Sequence, residues 1–95
     1  MYLVLVYRAS KPVTVRCASE PFGTLLFNVG VAPATAVTKT FIKLDPMPGN
    51  APNGVLEFYI SNAAVDDLLE LQEVYFADAT MHKQCVGDLG ALYKC

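Results

Sequence analysis

Apolar and polar residues alternate over Val13–Ala18, with Val13, Val15 and Cys17 set against Thr14, Arg16 and Ala18. The alternation returns over Val37–Leu44, where Thr38, Thr40, Ile42 and Leu44 share one side and Val37, Lys39, Phe41 and Lys43 the other. A period of two marks strands with one buried face, because successive side chains of a strand point to opposite sides of its sheet. Two lysines make the second side of Val37–Leu44 a wet one, with Phe41 between them. Such segments pair antiparallel and need a second layer over their apolar side.

The rest of the chain extends this pattern. Tyr2–Tyr7 (YLVLVY) is apolar on both alternating sides, which suits a strand covered on both faces or one that meets a partner. Ser10-Lys11-Pro12 supplies turn chemistry and predicts a hairpin between Tyr2–Tyr7 and Val13–Ala18. Glu20–Gly23 makes the next break, and Thr24–Val31 reads as a third strand with Gly30 at a bulge or close backbone approach. Asp45–Gly54 holds three prolines, two glycines and two asparagines, so it reads as a long loop, either an inert connection or a functional one. Val55–Ile60 is a further strand that buries Leu56, Phe58 and Ile60. Ser61 or Asn62 can cap a short helix over about Ala63–Leu71, with Asp66 and Asp67 complementing its positive end. Glu73–Ala79 reads as a strand through Val74 and Phe76, Val86–Gly90 as a turn, and Ala91–Lys94 as a short final strand. The expected fold is mainly β: a single domain over residues 1–95, built as a small antiparallel sandwich or barrel of about six strands with one short helix near residues 63–71. Leu68–Phe76 (LLELQEVYF) resembles the turn-then-strand corner of immunoglobulin-like sandwiches, without their usual cysteine and tryptophan partners. By that resemblance Tyr75 would be the tyrosine that opens a late strand.

Charge is sorted along the chain. Residues 1–43 carry Arg8, Lys11, Arg16, Lys39 and Lys43 against Glu20, whereas residues 44–82 carry seven carboxylates and no lysine or arginine. With the tail, the three blocks contribute +4, −7 and +1 to a formal −2. Complementary fields of this kind govern how surfaces meet. Apolar residues make up 54 % and charged ones 17 %, below the ~25 % usual for soluble domains, so a chain this short is expected to leave apolar surface exposed. The expected function is therefore a non-enzymatic assembly module that contacts protein, either copies of itself or a larger structural partner. The residues expected at such contacts are Arg8, Lys11, Arg16, Lys39, Phe41 and Lys43 on the basic side, and Asp66, Asp67, Glu70 and Glu73 on the acidic side. In composition the chain is similar to small cement or decoration proteins of bacteriophage capsids. That resemblance implies a virion setting. The alternative is a small barrel that binds single-stranded nucleic acid through the N-terminal basic residues, with Phe41 and Tyr7 stacking on bases.

Little in the chain suggests chemistry. His82, Cys85 and Cys95, with Cys17 or Asp78, could supply zinc ligands, but no Cys-x2-Cys pair anchors such a site. Cys85 with His82 lacks a group to orient the imidazole for nucleophilic attack. Asp66, Glu70 and Glu73 would form a solvated stripe on the expected helix. No catalytic, metal or cofactor site is expected. Of the three cysteines, Cys17 is expected to point inward. Cys85 and Cys95 could pair, but free thiols in a reducing compartment are the expectation. The uncharged run Pro21–Thr38 is broken by prolines and glycines, and Tyr2–Tyr7 has no basic leader, so a soluble chain without signal peptide or membrane span is expected, intracellular or virion-associated.

Overall fold

The computed structural model describes residues 1–19, 24–44, 54–87 and 91–95. Two antiparallel sheets face each other. The first has the order β4-β1-β6-β7, formed by β4 (Ala34–Lys43), β1 (Tyr2–Ala9), β6 (Leu69–Ala77) and β7 (His82–Gln84). The second has the order β3-β2-β5-β9-β8, formed by β3 (Leu25–Val31), β2 (Val13–Ser19), β5 (Gly54–Tyr59), β9 (Leu92–Lys94) and β8 (Val86–Gly87). The sheets form an open sandwich and no barrel closes. The Glu20–Gly23 break, residues 45–53 of the Asp45–Gly54 loop, and residues 88–90 lie outside the described residues.

Between the sheets lies one apolar core. Leu3, Leu5, Tyr7 and Ala9 of β1 with Val74 and Phe76 of β6 meet Val13, Val15 and Cys17 of β2 with Leu56 and Phe58 of β5, all buried. Phe27 of β3 stands edge-on to Phe76, ring centroids 6.4 Å apart, across the gap between sheets. Leu44 closes the end of the core, as its alternation with Thr40 and Ile42 predicts. The buried Tyr7 hydroxyl donates to the Ala32 carbonyl, tying the centre of the first sheet to the β3–β4 connection. Burial pushes the pKa of that phenol up.

Three expectations about the strands and the helix are corrected. β1 and β2 form no hairpin: the Ser10–Pro12 link carries the chain from one sheet to the other, and β1 pairs with β4 and β6 instead. A hairpin would set Leu3 and Leu5 beside Val13 and Val15 in one layer; the crossover sets them face to face. No helix forms among the described residues, and residues 63–68 are turns and irregular chain. Ser10 Nα donates to the Leu68 carbonyl and Leu68 Nα donates to Ser10 Oγ, so β1 draws this segment into a ladder that begins at Leu69. Long-range pairing here overrides a weak helical propensity. The bulge of β3 falls at Leu26, between the pairs Cys17↔Phe27 and Ala18↔Leu25, and not at Gly30, which pairs regularly with Thr14.

Cys85 and Cys95 are joined in a disulfide, with Cα atoms 4.4 Å apart, rather than free. Cys85 is the single residue between β7 in the first sheet and β8 in the second, so the bridge fastens the crossover to the end of β9. Cys95 also exchanges two backbone hydrogen bonds with Gly54. Gly54 in turn lies so close to the Ala18 carbonyl that a side chain would collide with it. Sequence spacing alone could not reveal the pairing, because it depends on where β7 leaves its sheet. Cys17 is the buried free thiol, pushed up to about 11 by burial. Replacing both bridge cysteines by serine should lower unfolding free energy by about 2–3 kcal/mol, the entropic effect of opening a loop this size. Urea denaturation of wild type and the double variant measures it, and identical midpoints would show the bridge to be structurally idle.

Candidate interaction face

The side of the first sheet that faces away from the core carries an aromatic layer. β1 contributes Tyr2, Val4 and Val6, because Leu3, Leu5 and Tyr7 take the inner positions. Register then fixes their neighbours: Tyr2 lies between Lys43 and Ala77, Val4 between Phe41 and Tyr75, and Val6 between Lys39 and Glu73. β7 adds His82 beside Ala77 and Gln84 beside Tyr75. Val4 is 0 % exposed although it lies outside the core cluster, since the residues around it cover it on this outer side. Phe41 itself remains 60 % exposed and Tyr2 41 %. Tyr2 meets Phe41 edge-on at 6.3 Å, and Tyr75 meets His82 edge-on at 4.3 Å. The Lys39 ammonium sits 5.7 Å from the centroids of both Phe41 and Tyr75. Its pKa is raised, first by a hydrogen bond to Tyr75 and further by the nearby Glu73 carboxylate. An apolar hollow of about 400 Å³ opens between Tyr2, Phe41 and Ala77–Ala79, with Asp78 at its rim.

The acids and bases separated in the sequence meet within the molecule. Arg8 pairs with Glu70 at 2.7 Å, Lys11 with Asp67 at 2.7 Å and Arg16 with Glu57 at 3.8 Å. The first and third pairs are directly opposed in the β1–β6 and β2–β5 ladders. The five basic residues of the N-terminal block therefore do not converge. Arg8 lies on the same outer side as Lys39 and Lys43 but at its far end, where it is paired with Glu70; Lys11 lies in the link between the sheets, and Arg16 on the outer side of the second sheet. Lys39 and Lys43 form no ion pair among the described residues. Tyr7, expected to stack on a ligand, is in the core. Tyr75 points to the aromatic face and makes no immunoglobulin-type corner. Among the acids, Asp66 is exposed in the turn before β6 and Glu73 lies beside Val6. Tyr2 and Val4 are not singled out by the sequence as contact residues, and Tyr75 and His82 are read there only in other roles, as a strand-opening tyrosine and as a possible metal or catalytic imidazole. The two-sided apolarity of Tyr2–Tyr7 was the signal for the first two, whereas Tyr75 and His82 join only through the register of β6 and β7.

Asp67 anchors the link between the sheets. It accepts hydrogen bonds from the Ala64 N–H at 2.8 Å and from Ser10 Oγ at 3.0 Å, and it pairs with Lys11. Lys11 first, then the Ala64 N–H, holds its carboxyl below the usual aspartate range. Glu70 is held low first by Gln72 and then by Arg8. Neither Cys85 nor Cys95 is free to ligate zinc, because they bond each other. Among the described residues no group of histidine, cysteine and carboxylate side chains is placed to hold a metal ion, and no helix is long and apolar enough to cross a membrane.

No protein-family model, curated protein or solved structure matches this chain.

A depressed carboxylate contributes stability that is present above its unfolded pKa and lost as pH falls through the folded value. The melting temperature of the wild type should therefore fall as pH drops from about 5 toward 2. Asp67→Asn should melt lower at neutral pH and show a flatter acid limb. Scanning calorimetry of the two proteins across that range tests this; parallel acid limbs would remove Asp67 from the account.

Proposed function

We propose that this protein is a non-enzymatic assembly module whose contact surface is the outer side of the β4-β1-β6-β7 sheet. The observation that carries this reading is a fully buried Val4 on a sheet face that no second layer covers among the described residues, beneath the exposed rings of Phe41 and Tyr2. Aromatic rings grouped in this way contribute large contact area with little side-chain entropy to lose. The three ion pairs bear on how contact is driven. With Arg8, Lys11, Arg16, Glu57, Asp67 and Glu70 satisfied within the chain, charge attraction between copies is diminished and the apolar face becomes the main source of affinity. Lys39, Lys43 and Glu73 border that face and set orientation. A small sandwich of this kind suits a place on a larger shell, such as a bacteriophage capsid; chain size, β architecture and composition support that setting.

A second reading draws on the same face. Lys39 and Lys43 beside Phe41, Tyr2 and Tyr75 reproduce the pairing of cations and rings by which sheets hold single-stranded nucleic acid. Glu73 on the same face and a net charge of −2 weigh against it.

Light scattering over a range of concentration and salt separates the two. Association that persists at high salt and weakens ten- to a hundredfold in Phe41→Ser is expected of the assembly module, because removing a buried ring from a contact costs about 1.5–3 kcal/mol. Phe41→Ser should leave the melting temperature nearly unchanged. A protein that stays monomeric but binds labelled oligouridylate, with affinity falling steeply in salt and lost in Lys39→Glu/Lys43→Glu, would replace the first reading with the second.

A further inference from the structure

β4 is the longest strand of the fold and pairs with β1 alone among the described residues. The Leu44 N–H donates to the Met1 carbonyl. In an antiparallel ladder, alternate residues bond one neighbour and those between them face the other side. Over the regular stretch Thr38–Lys43, Thr38, Thr40 and Ile42 therefore bond β1, and the N–H and C=O groups of Lys39, Phe41 and Lys43 point to the open edge. The same phase runs across the sheet, where the Cys85 N–H meets the Val74 carbonyl on the far side of β6. Edges are usually blunted by brevity, bulges, proline or charge. β7 and β8 are three and two residues long, and β3 carries the Leu26 bulge. β4 has no proline, and its one irregularity lies toward Ala34, leaving Thr38–Lys43 straight with two lysines as its guard.

We infer that β4 pairs antiparallel with β4 of a second copy about a two-fold axis at Thr40, joining two four-stranded sheets into one. This rests on the assembly reading above and names its partner. Hydrogen bonds form only if edge-facing residues oppose each other, which limits the register to a few choices. A two-fold axis at Lys39 opposes Lys39 to its copy, and one at Phe41 opposes Lys39 to Lys43; both set like charges side by side. An axis at Thr38 runs Phe41 against Thr35 in the irregular stretch, and one at Ile42 carries Lys39 past the end of the strand. An axis at Thr40 opposes each Lys39 to Phe41 of the other copy within the regular stretch and brings each Lys43 to Val37 at its border. Every lysine then lies against an apolar side chain, as Lys39 already does against its own Phe41. Val37 and Phe41, now 46 % and 60 % exposed, are both covered in part. A two-fold axis perpendicular to the sheet keeps both aromatic faces on the same side, so they become one continuous surface.

Cysteine cross-linking reads this register. Opposed residues of the non-bonded pair at the axis lie about 4.5 Å apart at Cα, within disulfide reach. Thr40→Cys should oxidise mostly to a covalent dimer on a non-reducing gel. Thr38→Cys and Ile42→Cys should each remain single alone and cross-link when mixed, because residues 38 and 42 oppose each other across the axis. The native Cys17 is buried and does not interfere. Wild-type light scattering is run in parallel. Association without these cross-links would overturn β4 pairing while leaving the assembly reading in place. A wild type that is monomeric at every concentration would overturn both.

Discussion

Everything in this fold depends on the pairing of β1 with β4 on one side and β6 on the other. Among the described strands, Tyr2–Ala9 alone has two faces that are both apolar through its middle, and the centre of a sheet covered on each side is where such a strand fits. Its inner residues, Leu3, Leu5 and Tyr7, lie in the core with Val74 and Phe76 of β6; its outer residues bring Phe41 and Tyr75 together over Val4. The candidate interaction face is thus a by-product of register. One residue of slip in β1 would exchange the two sets of side chains and dissolve core and face together.

The strands at Tyr2–Tyr7, Thr24–Val31 and Glu73–Ala79 are legible in the sequence, and those with one wet face most directly. β2, β4 and β5 fall where the alternation of Val13–Cys17, Thr38–Leu44 and Leu56–Phe58 places them, because burial on one side only leaves a period of two in the residue types. The short final strand was legible too, at Leu92–Lys94. What escaped depended on contacts far apart in the chain. The segment before β6 has helix-like spacing and an aspartate pair, and nothing local says that Ser10 will bind Leu68 and Asp67. The charge blocks were plain, but their meeting across the ladders was not, and it moves the centre of the candidate site from the acidic stripe to the rings beside Lys39.

The two ends of the first sheet are unlike. One edge is the three-residue β7, from which the chain departs at once for the opposite sheet through the disulfide-linked Cys85. The other is β4, long and regular where it runs beside β1. Growth of the sheet is closed on one side by brevity and a covalent fastening, and left to two lysines on the other. A module with one stoppered edge and one open edge adds a single partner strand and then stops, so its assemblies by this route are finite pairs rather than fibres.

The three ion pairs between early and late residues also bear on how the chain finds its topology. β1 and β2 both carry arginine, so neither offers the other a salt-bridging partner, whereas β6 and β5 carry the glutamates that stand opposite them in the finished sheets. These oppositions favour β1 beside β6 and β2 beside β5, while β1 beside β4, where both strands are basic, rests on backbone pairing and burial. Screening confines that selection to within about 10 Å at 0.1 M salt, close enough to act only once collapse has brought strands side by side. Charge sorted along the chain is thus partly neutralised inside the fold, which leaves less of it for any partner.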